Sequence, residues 1–123
     1  MTVTADFREF VLEQLRPLQN VSSRPMFGGV GIYADELFFA IIADDVVYLK
    51  VDDKNRGDYE VAGKQPFKPF PDRPSSMNYY ELPVEVLEDP EQLLDWSRKA
   101  VEAAARSKKK KKVAGSSKVS NEQ

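Results

Sequence analysis

Gly28-Gly29-Val30-Gly31 is the first stretch of the sequence with chemical potential, because glycine-rich loops let backbone N–H groups close around a phosphate. Such a loop has to open a helix, usually with a Lys-Ser/Thr pair. The next residues here are Ile32-Tyr33-Ala34, and the chain beyond them stays strand-like. A bulge, or a close approach between the sheet and a neighbouring backbone, is the plainer account. Three carboxylate pairs come next, Asp35-Glu36, Asp44-Asp45 and Asp52-Asp53. Hydrolytic chemistry or a Mg²⁺ site needs such acids to converge on one pocket. Two of the pairs fall in hairpin turns and the third at a helix start, where acids serve chain reversal and capping. A weak cation site would need all three to share one end of the sheet.

The lysine run Lys108, Lys109, Lys110, Lys111 and Lys112 is the main electrostatic handle. Five adjacent cations displace counterions from phosphates and so bind nucleic acid without sequence preference. The alternative is a solubilising tail, or one that folds back weakly on an acidic body. The seven Phe, five Tyr and one Trp are flanked mainly by acids, and no segment has the basic-aromatic signature of an RNA-recognition sheet. Most of these rings are expected in the core. Tyr79 and Tyr80 are adjacent on a strand and face opposite ways, which leaves one of them for a partner. Cysteine and histidine are both absent. Disulfides, thiolate nucleophiles, Cys/His zinc sites and Ser-His-Asp arrangements are thereby excluded. No catalytic residue, metal or cofactor is expected.

These residues have to be positioned by ordinary elements. Phe7, Phe10, Val11, Leu15 and Leu18 recur at helical spacing, with Thr4 as N-cap and Pro17 as stop, predicting a helix over 5–16. Three runs come after it, Arg24–Ala34, Leu37–Ala43 and Val46–Val51, separated by two-residue acidic turns that suit antiparallel hairpins. The middle run is apolar throughout and belongs at the centre of a sheet covered on both faces. Asp52 or Asp53 caps a short helix through about Ala62, ended by Gly63. Pro66-Phe67-Lys68-Pro69-Phe70-Pro71 reads as an edge strand or irregular segment, and 77–82 as a last strand. Asp89-Pro90-Glu91-Gln92 signals a final helix running to about Arg106. The order is α-β-β-β-α-β-β-α, an α+β domain.

Charge divides the 123 residues unevenly. The chain carries 18 basic and 20 acidic residues, a net of −2. Up to Ala105 there are 11 basic and 19 acidic residues, a net of −8. From Arg106 onward there are 7 basic and 1 acidic, a net of +6. The second part has no aromatic residue and little to bury, so it is expected to be a disordered Lys-rich tail over 106–123, after a folded domain over 1–105. The N-terminus lacks the basic start and apolar run of a signal peptide, and no segment approaches the ~20 apolar residues of a membrane span. A cytoplasmic location is expected.

Arg24-Pro25-Met26-Phe27-Gly28-Gly29-Val30-Gly31-Ile32-Tyr33 resembles the N-terminal domain of the TfoX/Sxy competence-regulator family. Ala43–Asp52, Met77–Pro83 and Asp89–Trp96 continue the likeness in the same order, so that it spans about Phe7 to Ala104. The resemblance implies a curved antiparallel sheet with flanking helices, similar to secretion-chaperone-like folds. It also implies a bacterial protein without catalytic site, acting with a transcriptional regulator on DNA-uptake genes. Arg24, Met26, Phe27, Gly28, Gly29, Gly31, Tyr79 and Tyr80 would shape the fold or a partner surface. Family members with a known role carry a C-terminal helical domain, and here the lysine tail stands in its place. Two alternatives accompany this regulatory role: a structural interaction module or homodimer that pairs through an edge strand, and a small-ligand or cation carrier using the acids and Arg24.

Overall fold

A computed structural model of the chain describes residues 3–26, 28–67 and 78–120, with the side chains of the last stretch described as far as Lys109. Helix α1 (Ala5–Gln14) starts where Thr4 Oγ1 accepts from the Phe7 N–H at 3.2 Å. Val11 on its inward side and Leu15 at its C-cap are buried. Phe10, expected on that face, is 43 % exposed, because the helix lies with Val11 rather than Phe10 against the sheet.

Four strands come next: β1 (Val21–Met26), β2 (Gly29–Ala34), β3 (Leu37–Ala43) and β4 (Val46–Lys50). The first apolar run thus holds a hairpin rather than one strand. Gly28 has φ +76°, and Met26 pairs with Gly29 across a two-residue turn. After helix α2 (Arg56–Val61) comes β5 (Tyr79–Glu81). All five strands are antiparallel in the order β1-β2-β3-β4-β5, which places β3 at the centre. The described residues hold one strand after α2 where two were expected. Instead Pro66 bridges Tyr80, and the Phe67 N–H donates to the Tyr79 carbonyl, so this short stretch lines the outside of β5. Phe70, Met77 and most of the proline-rich segment lie outside the described residues.

The two acidic turns have both central residues in the left-handed region: Asp35 and Glu36 at φ 49° and 64°, Asp44 and Asp45 at 52° and 55°. That geometry matches the twist of paired strands but suits glycine best. We expect Glu36→Gly to raise stability by about 0.5–1 kcal/mol, the relief of left-handed strain less the entropy a glycine adds to the unfolded chain. Thermal unfolding would register it as a rise of a few degrees, and a fall would show that the Glu36 side chain is needed.

Register between β2 and β3 slips once. Ile32 faces Ala40 and Tyr33 faces Phe38, so Phe39 stands unmatched as a bulge. The bulge lets Phe39 and Ala40, adjacent in sequence, both join the main core. That core lies between the sheet and the helices, with Phe39, Ile42 and Leu49 meeting Val11, Leu15, Leu93 and Ala100. A smaller cluster covers the opposite face, built from Ile41, Ala43, Phe67 and Tyr79 with Phe38 and Tyr48.

A short helix α3 (Val84–Leu87), which no sequence signal announced, precedes α4 (Pro90–Ser120). Asp89 Oδ1 accepts from the Glu91 and Gln92 N–H groups, the cap its sequence implied. The helix does not stop near Arg106. It continues through Ser120: arginine and lysine favour helix as far as Lys112, and no proline interrupts the residues beyond. The boundary drawn at Ala105 therefore falls inside α4.

Candidate functional site

The acids separate once the topology is known. Successive hairpin turns of a meander alternate ends, so Asp44-Asp45 lies at the opposite end of the sheet from Asp35-Glu36 and Asp52-Asp53. The shared end that a cation site needed does not exist. Each side has its own partner instead. Asp45 accepts from the Thr4 N–H at 2.9 Å and from its hydroxyl at 3.0 Å, pinning the start of α1. Asp35 accepts from the Asn20 side-chain amide at 2.6 Å, and Asp53 pairs with Arg56. Among the described residues no three acids come together in the manner of a metal site.

Gly29 answers to a backbone rather than a ligand. A Cβ at that position would lie 2.2 Å from the Ile42 carbonyl oxygen on β3. Gly31 is different: its neighbours are the Met26 Cε and Phe38 Cε1, each 3.1 Å from where a Cβ would stand. Arg24 is exposed on β1, which is an edge strand, and its guanidinium carbon lies 4.7 Å from the Tyr33 ring centroid. Phe27 lies outside the described residues. Tyr79 and Tyr80 face opposite sides as expected, but neither is exposed. Tyr79 is buried with its hydroxyl donating to the Phe38 carbonyl at 3.0 Å, and Tyr80 is half-buried with its ring 5.8 Å from that of Tyr59. Residues 65–67 along β5 and the Tyr59 ring account for the cover.

The root of the lysine run is held to the body by a pair that the sequence reading did not join. The Arg106 guanidinium donates to both Asp52 oxygens, from Nε at 2.7 Å and from an Nη at 3.0 Å. This two-pronged pair ties α4 to the corner after β4. Buried Asn55 shapes that corner: its oxygen accepts from the Asp52 N–H at 2.7 Å, and its amide donates to the Lys50 carbonyl at 3.0 Å. Lys108 and Lys109 come within the next helical turn, both exposed. The side chains of Lys110, Lys111 and Lys112 lie outside the described residues. Asp52 and Arg106 are 54 positions apart, and nothing local in either segment pairs them.

The Arg106 hydrogen bonds hold the Asp52 carboxyl below its ordinary value, with the Lys54 and Asn55 N–H groups adding to the effect. A carboxyl more acidic folded than unfolded contributes stability that is complete above its unfolded value near 4 and is lost as pH falls through the lower folded value. Melting curves from pH 6 down to pH 3 should therefore decline more steeply for the native chain than for Arg106→Gln below about pH 4. Parallel curves would show that the pair contributes no linkage.

A family model described as the TfoX N-terminal domain matches residues 13–104. The chain belongs to this family. The match reaches from the last turn of α1 to the buried Ala104 of α4, so every strand of this TfoX N-terminal domain is inside it. Asp52 is within the matched range, whereas Arg106 and the lysine run lie beyond it. Among curated proteins none matches the chain. An open groove of about 550 Å³ runs between α1 and β1, with Leu12, Leu18 and Val21 on its walls beside Glu9, Glu13 and Arg16. Among the described residues no helix is long and apolar enough to cross a membrane.

Proposed function

We propose that this TfoX N-terminal domain is a regulatory protein that acts by binding rather than catalysis. Its body would recognise a protein partner, a transcriptional regulator first among them, and the lysine run would add non-specific contact with nucleic acid. Family membership supports the regulatory part. One observation carries the second part: α4 leads without a break from the core into five adjacent lysines, and Arg106 fastens it to the body where the run begins. Cations set on an anchored helix lose less freedom on meeting phosphate than cations on a loose chain.

Titration of a labelled DNA duplex tests the electrostatic part. Five phosphate contacts imply a fall in affinity on the order of several hundredfold between about 50 and 200 mM salt. A full-length variant carrying Lys108→Gln, Lys109→Gln, Lys110→Gln, Lys111→Gln and Lys112→Gln should lose most of that dependence. DNA affinity indifferent to both salt and these lysines would refute it. For the protein partner, capture from a bacterial lysate with nuclease present should still recover a transcriptional regulator. Recovery that disappears with nuclease would reduce the role to nucleic-acid binding alone.

The open groove beside β1 favours a second reading, a homodimer or interaction module that pairs through this edge strand. Sedimentation velocity over a wide concentration range tests the homodimer, since a monomer throughout leaves the edge without a second copy.

A further inference from the structure

The outer face of the sheet, away from α4, assembles a row that no single segment contains. It takes one residue from each strand: Arg24 from β1, Tyr33 from β2, Phe38 from β3, Lys50 from β4 and Tyr79 from β5. The Arg24 guanidinium lies 4.7 Å from the Tyr33 ring centroid. Tyr33 and Phe38 are stacked, with centroids 5.1 Å apart and planes 27° from parallel. Phe38 and Tyr79 are the next pair at 4.9 Å, and the Lys50 ammonium stands 5.2 Å from the Tyr79 centroid. Aromatic rings therefore lie between two cations. Tyr79 is the buried floor of the row, whereas Tyr33 and Phe38 are only half-buried.

An open cavity of about 280 Å³ continues the row toward the end of the sheet. Phe38 and Tyr79 supply its ring walls, Lys50 and Lys108 its cations, and Ser107 a hydroxyl. Glu36 is the one carboxylate residue on that lining. Lys108 is also the first residue of the lysine run, so rings and cavity lead from the sheet face to the start of that run on α4. The body is acidic as a whole, with a net of −8 up to Ala105. Basic side chains bracketing rings on this face are therefore a local exception to its charge.

We propose that this face binds single-stranded nucleic acid, with unpaired bases stacking on Tyr33 and Phe38 while Arg24, Lys50 and Lys108 hold the phosphates. The proposal rests on the nucleic-acid contact of the lysine run and deepens it by specifying the form of the ligand. A duplex keeps its base faces inside the helix and offers phosphates that lysines alone can meet. Unpaired bases offer π-faces of any sequence, and stacking on aromatic side chains contributes substantially per base. Only the single strand can use both halves of the path.

The test uses the full-length chain with a fluorescein-labelled thymidine oligonucleotide of about 15 nucleotides and a duplex of the same length, at one salt concentration. Anisotropy should show the single strand bound about tenfold or more tightly than the duplex. Tyr33→Leu and Arg24→Gln should each weaken single-strand binding by about 5- to 20-fold and leave duplex binding within about twofold. The five-lysine variant should weaken both ligands. Arg24 is an exposed side chain on an edge strand, so its variant keeps the test valid even if the change at Tyr33 disturbs packing. Equal affinity for both forms, unchanged by Tyr33→Leu and Arg24→Gln, overturns the sheet-face site while leaving the lysine contact standing. Failure of the native chain to bind either form overturns both. Displacement of the oligonucleotide by an aromatic peptide, with no single-strand preference, would assign the face to a protein and also refute the proposal.

Discussion

Gly29→Ala should destabilise this domain strongly and lower its melting temperature by many degrees. The added Cβ would stand 2.2 Å from the Ile42 carbonyl oxygen, 3.3 Å from its carbon and 3.4 Å from the Ala43 Cα. All three atoms are backbone, so no rotamer change relieves the clash. β3 cannot retreat, because Ile42 and Ala43 are buried in the clusters on its two faces. β2 would have to withdraw by about an ångström, breaking the pairing of Val30 with Ile42 and loosening the hairpin to β1. A cost above about 3 kcal/mol is expected, against a total stability of roughly 5–15 kcal/mol for a domain of this kind. Two other glycines calibrate the result. Gly31→Ala meets only the flexible Met26 side chain and a Phe38 ring edge, and should cost about 1 kcal/mol. Gly57→Ala sits in α2 with nothing within 4 Å, and should stabilise by about 0.5–1 kcal/mol. A Gly29→Ala chain that melts within a few degrees of the native one would disprove the close approach.

Phe39→Ala should be the next most damaging change, costing about 3–5 kcal/mol in urea denaturation with little change in the slope of the transition. Phe39 is wholly buried, and the bulge puts it in the main core beside Ala40. The cavity left behind would border the central strand, where neither sheet nor helix can close in readily. Phe10→Ala, on the exposed side of α1, removes the same atoms and should cost under about 1 kcal/mol. Similar losses for the two would mean that β3 is not in the register described.

Features encoded within a few residues were legible in the sequence. The Thr4 and Asp89 caps, the central place of 37–43 and the two-residue acidic turns each rest on local geometry, and all stand in the structure. The hairpin of 21–34 is not legible, because Phe27-Gly28 in the sequence offers no polar turn residue between two β-rich segments. Helix α3 is too short for periodicity to register. The full length of α4 is not legible in the sequence, because residues beyond Arg106 have little to bury and only the helix propensity of lysine and arginine marks them. The anchor between Asp52 and Arg106 and the five-strand row share a different cause. Their members are far apart in the sequence, and only the pairing of strands and the docking of α4 bring them together. In the sequence the aromatic residues are flanked mainly by acids, whereas across the sheet Tyr33 and Tyr79 lie beside Arg24 and Lys50.

The meander has a consequence for how the protein is made. Each strand pairs with the one synthesised just before it, so the sheet can assemble in the order the ribosome delivers it. Its inner face, Phe39 and Ile42 included, then waits for α4, whose residues emerge after all five strands. Until that helix docks and Arg106 reaches Asp52, the nascent chain shows an oily sheet to the cell, which makes the interval between the last strand and α4 an aggregation-prone one.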